Sequence, residues 1–181
     1  MKKTIIYASI LLLAVACKMN GAGDKEATDK STTDAATADY PYTLKEGWKD
    51  WQVGDPKNTL TVLKMLKAWE TKNVTECVTY FADSTEWALD KFHAKMPHDS
   101  IASFLQGSYA NYTDLKVRVQ DWESVISADK KDEWVTVWYR QSWVNEKGVA
   151  DSMDLINEAK LMDGKIVYYD EYSMHFPAAK K

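Results

Sequence analysis

Three histidines and a scatter of carboxylates are the side chains from which this chain could build acid–base chemistry. His175 follows closely on Asp170 and Glu171. A carboxylate that orients an imidazole makes a general base near neutral pH. The alternation of His175 against Tyr172 and Met174 leaves open whether it faces a pocket or solvent. His93 and His98 flank a turn predicted around Pro97. Their spacing lacks the tight pairing of metal ligands, so both read as surface histidines and no metal site is expected. Arg140 sits inside an aromatic segment. It either pairs with Asp154 or Glu158 across a hairpin or holds an anionic ligand, and the pairing is the favoured reading. Asn157 shares the parity of Met153, Leu155 and Ala159, which sets an amide among apolar side chains. There it either orients a ligand or satisfies a neighbouring backbone group. No Ser-His-Asp arrangement, phosphate loop or nucleotide fingerprint occurs, and seven glycines give a phosphate cradle little material. No cofactor is expected.

The start of the chain reads as an export signal. Lys2 and Lys3 precede an almost wholly apolar run from Ile5 to Ala16, interrupted by Ser9. The run is shorter than the roughly 20 residues a spanning helix needs. It ends in small residues before a cysteine, Ala14-Val15-Ala16-Cys17. This tetrapeptide resembles the lipobox of bacterial lipoproteins, with Ala14 where a larger apolar residue is usual. The resemblance implies a signal peptide over residues 1–16, lipidation of Cys17 and a membrane as partner. Lys18 is no inner-membrane retention acid, so the expected location is the cell envelope, at the outer membrane of a Gram-negative bacterium. With Cys17 lipidated, Cys77 is alone and is expected to be buried. Losing the two signal lysines moves the formal charge from −4 to −6. Arg118 and Arg140 are the only arginines, and without a basic patch no nucleic-acid partner is expected. Residues 17–39 are polar and small apart from Met19, too poor in apolar surface to fold, and read as a tether. The folded domain is expected over residues 40–177, which hold all eight tryptophans, with a tail over 178–181.

Within the domain, helical and extended periods separate cleanly. Asp55-Pro56 is an N-cap followed by proline at the first helical position. Val62, Met65, Leu66 and Trp69 then recur on one helical stripe. Asn73 to Glu76 resembles a capping box, opening a short helix with Val74, Cys77, Val78 and Phe81 on its apolar face. Asp99 is expected to cap a third helix that turns Ile101, Phe104, Leu105 and Tyr112 to the core. After Thr113 the period becomes two: Leu115, Val117 and Val119 alternate with charged or amide residues. Trp134 to Val144 is a long β-branched and aromatic strand, with large residues on both parities. Either Trp134 and Trp138 or Tyr139 and Trp143 must form an aromatic outer face, which Trp48 and Trp51 could cover. Met153, Leu155, Ala159 and Leu161 mark a third strand, and Asp163-Gly164 is a hairpin turn into a last strand over 166–176. Helices first, then a meander, argue for an α+β fold with helices on one face of a curved sheet.

This order resembles the nuclear transport factor 2-like superfamily, also called SnoaL-like or ketosteroid isomerase-like. The features that carry the likeness are the helix ending Ala68-Trp69-Glu70-Thr71-Lys72-Asn73 and the run Val78-Thr79-Tyr80-Phe81-Ala82-Asp83-Ser84 leading to Trp87. A helix from Asp99 and four strands, the last opened by Asp163-Gly164-Lys165-Ile166-Val167, complete it. The resemblance implies a cone: three N-terminal helices packed on a curved antiparallel sheet of four long strands and one short one. It implies a pocket between the first helix and the sheet, lined by Met65, Trp69, Trp87, Phe104, Trp122 and Asn157, and frequent dimerisation through the sheet. Aligned on the steroid-isomerase pattern, Met65 stands at the donor tyrosine, Asn157 near the protonated aspartate, and the base falls near Leu89 or Asp90. A methionine donates no strong hydrogen bond, so steroid isomerisation by that route is not expected. The leading expectation is a lipid-anchored binder of a small apolar or aromatic ligand, without catalysis. The alternatives are an isomerase, dehydratase or hydrolase using Asp90, His175 or Asn157, and an interaction module acting through its aromatic sheet face.

Overall fold

Asp55 opens the first helix as expected: its carboxylate accepts a hydrogen bond from the Lys57 amide at 2.8 Å, from an extended backbone. The computed structural model describes residues 40–45 and 48–175. The first 39 residues, with the signal, Cys17 and the tether, lie outside that range. Helix α1 runs over Pro56–Glu70, and Thr59, Val62, Met65, Leu66 and Ala68 form its buried stripe. Asn73 caps α2, Val74–Thr79, by accepting from the Glu76 amide at 3.2 Å, and its own amide group donates to the Glu76 carboxylate at 2.8 Å. Cys77 is fully buried on the inner side of α2.

The next stretch corrects two expectations. Strand β2, Phe81–Leu89, is followed by a second strand β3, Phe92–Pro97, paired antiparallel to it. The turn expected around Pro97, between His93 and His98, is instead extended backbone that passes straight into the next helix. β3 is a sheet edge in which Met96 alone is buried, so it shows no apolar alternation that sequence reading could detect. Helix α3, His98–Tyr109, begins at Pro97 without a side-chain cap, and Asp99 lies in its first turn instead. There the carboxylate favours the positive end of the helix dipole without capping it.

Strands β4 (Thr113–Ile126), β5 (Glu133–Val144), β6 (Ala150–Met162) and β7 (Lys165–His175) form the expected meander. Among the described residues there are seven strands rather than five, because β3 and a two-residue β1 (Gln52–Val53) add edges; the order is β1-β4-β5-β6-β7-β2-β3. β2 pairs parallel with β7, so the sheet is not wholly antiparallel. The β6–β7 turn is built by Asp163 and Gly164, both at positive φ (51° and 72°), as a two-residue hairpin of that chemistry requires.

The core lies between the helices and one sheet face. On β5 that face carries Val135, Val137, Tyr139, Gln141 and Trp143, all buried. Trp134 and Trp138 therefore lie on the opposite face, which settles the two-parity ambiguity. Arg140 shares their face and sits opposite Asp154, donating through Nε and Nη2 at 2.6 and 2.7 Å. This two-pronged pair across the hairpin is the favoured reading of Arg140, and it turns the guanidinium away from the interior.

Among the register shifts of the sheet, two redirect side chains near the site. On β4, Val119 pairs with Tyr139 but Asp121 pairs with Trp138, so Gln120 is an extra residue. On β7, Ile166 pairs with Leu161 and Tyr168 with Lys160, so Val167 is extra. Each bulge reverses the in–out alternation downstream of it.

Candidate functional site

Where α1, α3 and the inner sheet face fail to meet, they leave a cavity of about 220 Å³. Met65 and Trp69 reach it from successive turns of α1, Trp87 from β2 and Phe104 from α3. The Trp69 ring stacks on Tyr109 with 4.6 Å between centroids, and its indole N–H donates to the Gln141 side-chain carbonyl at 2.7 Å. Trp87 packs among Phe81, Phe104 and Tyr169 at 5.1, 5.5 and 5.1 Å. Its indole N–H is buried with no acceptor among the described residues.

The other sequence-selected residues lie elsewhere. Trp122 is 53% exposed and lines a separate open groove with Leu63, Lys67 and Val117, which corrects its placement in the pocket. Asp90 is exposed in the β2–β3 turn at φ 36° and borders an outer groove, not the cavity. His175 does not pair with Asp170 or Glu171. It meets Asp151 at 2.8 Å and stacks on Trp143 near the surface. His93 is an exposed partner of Glu86 at 2.7 Å, and His98 bonds to the Phe81 carbonyl at 3.0 Å. Asn157 is fully buried beside the cavity, donating from its amide to the Asp170 carbonyl and to Glu171 Oε2, both at 3.2 Å. Its amide thereby satisfies the Asp170 backbone carbonyl, while its Oδ1 is buried without a donor among the described residues.

The residue that sequence reasoning did not set in the pocket is Glu171. It stands opposite Asn157 on β6 and Leu89 on β2, and it lines the cavity. Burial pushes its carboxyl above the ordinary value, against a smaller opposing pull from the Asn157 amide. Tyr139 and Tyr169 neighbour it. Burial holds both phenols well above their ordinary range, and the Glu171 carboxylate adds to this. Tyr112, just past α3, is raised for the same two reasons. The three phenols thus keep their protons and act as donors. The Glu171 carboxyl can accept a hydrogen bond or a proton from a guest molecule, and the phenols can hold an oxygen atom. Cys77 also lines the cavity, but burial raises its thiol to about 12, and Sγ donates to the Met65 carbonyl at 3.7 Å. A thiol so held is inert.

No protein-family model and no curated protein matches the chain. Solved structures do. An NTF2-like protein of unknown function from Burkholderia pseudomallei aligns at TM-score 0.55 and 11% identity, over 64% of this chain and 89% of that one. A protein with a ketosteroid isomerase-like fold from Catenulispora acidiphila, in complex with trimethylamine, aligns at 0.52 and 15%, over 62% and 83%. An LEH-like epoxide hydrolase from M. tuberculosis aligns at 0.53 and 12%, over 66% and 84%. The chain has the nuclear transport factor 2-like, or ketosteroid isomerase-like, fold. Enzymes and ligand-holding proteins share that fold, so it does not itself choose between them.

Proposed function

We propose that this is a lipid-anchored envelope protein whose domain holds a small apolar or aromatic molecule in the cavity beneath α1 without transforming it. The observation that carries the reading is an aromatic-walled hollow of about 220 Å³ between helices and sheet, with Trp69, Trp87 and Phe104 in its wall. Drug-sized ligands occupy pockets of roughly 300–1,000 Å³, so the guest is smaller than those. The trimethylamine complex of one fold neighbour supports the idea that such hollows admit small guests. Asp90 and His175 stand away from the cavity, which leaves Glu171 as the one acid in its wall among the described residues.

Titrating the protein with a panel of hydrophobic metabolites is expected to give a saturable change in tryptophan emission for at least one class, because two indoles form the wall. A flat response across the panel would remove the reading. The anchor is tested separately. Cells fed labelled palmitate are expected to label the wild-type chain and not the Cys17→Ser variant; equal labelling would refute lipidation at that residue.

Glu171 supports a second reading, an acid–base enzyme. A desolvated carboxyl beside three phenols is the pairing that abstracts a proton while an adjacent oxygen is held. Turnover that survives Glu171→Gln would dismiss it.

A further inference from the structure

The cavity has one charged wall residue. Among the described residues that line it, Glu171 carries the only carboxylate, and no lysine, arginine or histidine is present. Glu171 Oε2 accepts from Asn157 at 3.2 Å, and its other oxygen has no donor among the described residues. Glu171 is half-buried in the wall, and a carboxylate so placed, with one oxygen free of any donor among the described residues, is poised to take a cation. The rest of the wall suits an organic cation. Trp69, Tyr112, Tyr139 and Tyr169 present ring surfaces around the same space, and aromatic faces attract ammonium groups. Anionic guests would meet Glu171 with no counter-charge to hold them.

We propose that the guest is a small organic amine bound as its ammonium ion, its N–H donating to Glu171 and its hydrocarbon part filling the aromatic hollow. This rests on the reading of the cavity as a binding site and adds the charge of the ligand to it. Phenols beside the carboxylate add acceptor oxygens for a second N–H, which a primary or secondary amine would use. The small volume limits the hydrocarbon part to about one ring or a short branched chain.

The test uses three probes of matched shape: phenethylamine, propylbenzene and 3-phenylpropanoate, titrated at neutral pH into the full chain and its Glu171→Gln variant. The amine is expected to bind the wild-type protein roughly tenfold or more tightly than propylbenzene, and the carboxylate not to bind. In the variant that advantage disappears while propylbenzene binding persists, which also shows that the variant is folded. Equal affinity for amine and hydrocarbon, or an amine affinity untouched by the substitution, overturns the amine assignment and leaves the cavity reading standing. If none of the three binds either protein, the cavity reading itself fails and the inference falls with it.

Discussion

Replacing Phe81 with alanine is expected to cost the domain about 3–5 kcal/mol and to lower its melting temperature by roughly 10–20 °C. The residue is 1% exposed and stands where α2 hands over to β2. Its ring meets Trp87 at 5.1 Å and, edge-on, Tyr169 at 5.9 Å, so it joins β2 to β7 from behind the cavity wall. Its backbone is equally committed: it lies opposite Ile166 in the parallel pair, and its carbonyl bonds to His98. These constraints prevent the surroundings from collapsing into the space an alanine would leave, and uncollapsed space is what makes such deletions expensive. Phe92→Ala provides the contrast. That ring stacks on Phe104 at 5.6 Å but is 37% exposed on the edge hairpin, and its loss should cost under about 1.5 kcal/mol. Thermal and urea melts of the two variants measure the difference. Similar small losses for both would mean that the Phe81–Trp87–Tyr169 cluster is not the packed wall on which the site depends.

The elements that build the scaffold were legible because their signals are local. Asp55-Pro56 and the Val62–Trp69 stripe mark α1 without reference to anything distant, and Asp163-Gly164 requires a two-residue turn. The site was less legible because it depends on register. Counting alternate residues along β7 from buried Ile166 places Tyr168, Asp170 and Tyr172 inward and Glu171 outward. The extra residue at Val167 reverses this, bringing Tyr169 and Glu171 into the cavity. A bulge of this kind leaves no mark in apolar periodicity, since Val167, Tyr168 and Tyr169 suit either face. The bulge at Gln120 acts likewise on β4. It puts Trp122 opposite inward-facing Val137, yet on a strand far enough out in the sheet that the indole stays exposed beside α1. Met65, Trp69, Trp87 and Phe104, on helices or on β2, line the hollow without depending on either of these two bulges.

The same bulge makes Glu171 a destabilising residue, and its removal should show this in a pH-dependent way. The ordinary carboxyl value for glutamate is 4.5, and burial raises the value in the folded chain. Below the unfolded value both states hold the proton, and the residue has no pH-linked effect. As pH rises, the unfolded chain loses its proton first while the folded chain retains it. Stability therefore falls through the interval and levels off once the folded carboxyl has ionised. Glutamine has no proton to lose and keeps the shape and the Asn157 contact. Glu171→Gln is thus expected to track the wild type below pH 4.5 and to exceed it increasingly toward neutrality, with a higher melting temperature at pH 7. The titratable groups facing Glu171 do not confuse the comparison: Tyr112, Tyr139 and Tyr169 keep their protons throughout this range. Glu158 and Asp170 are also raised by burial, but both remain in the variant and cancel in the difference. Parallel stability curves for the two proteins between pH 4.5 and 8 would show that Glu171 ionises as freely folded as unfolded. In that case the carboxylate is hydrated, the hollow is wet, and an ammonium guest would gain nothing by entering it.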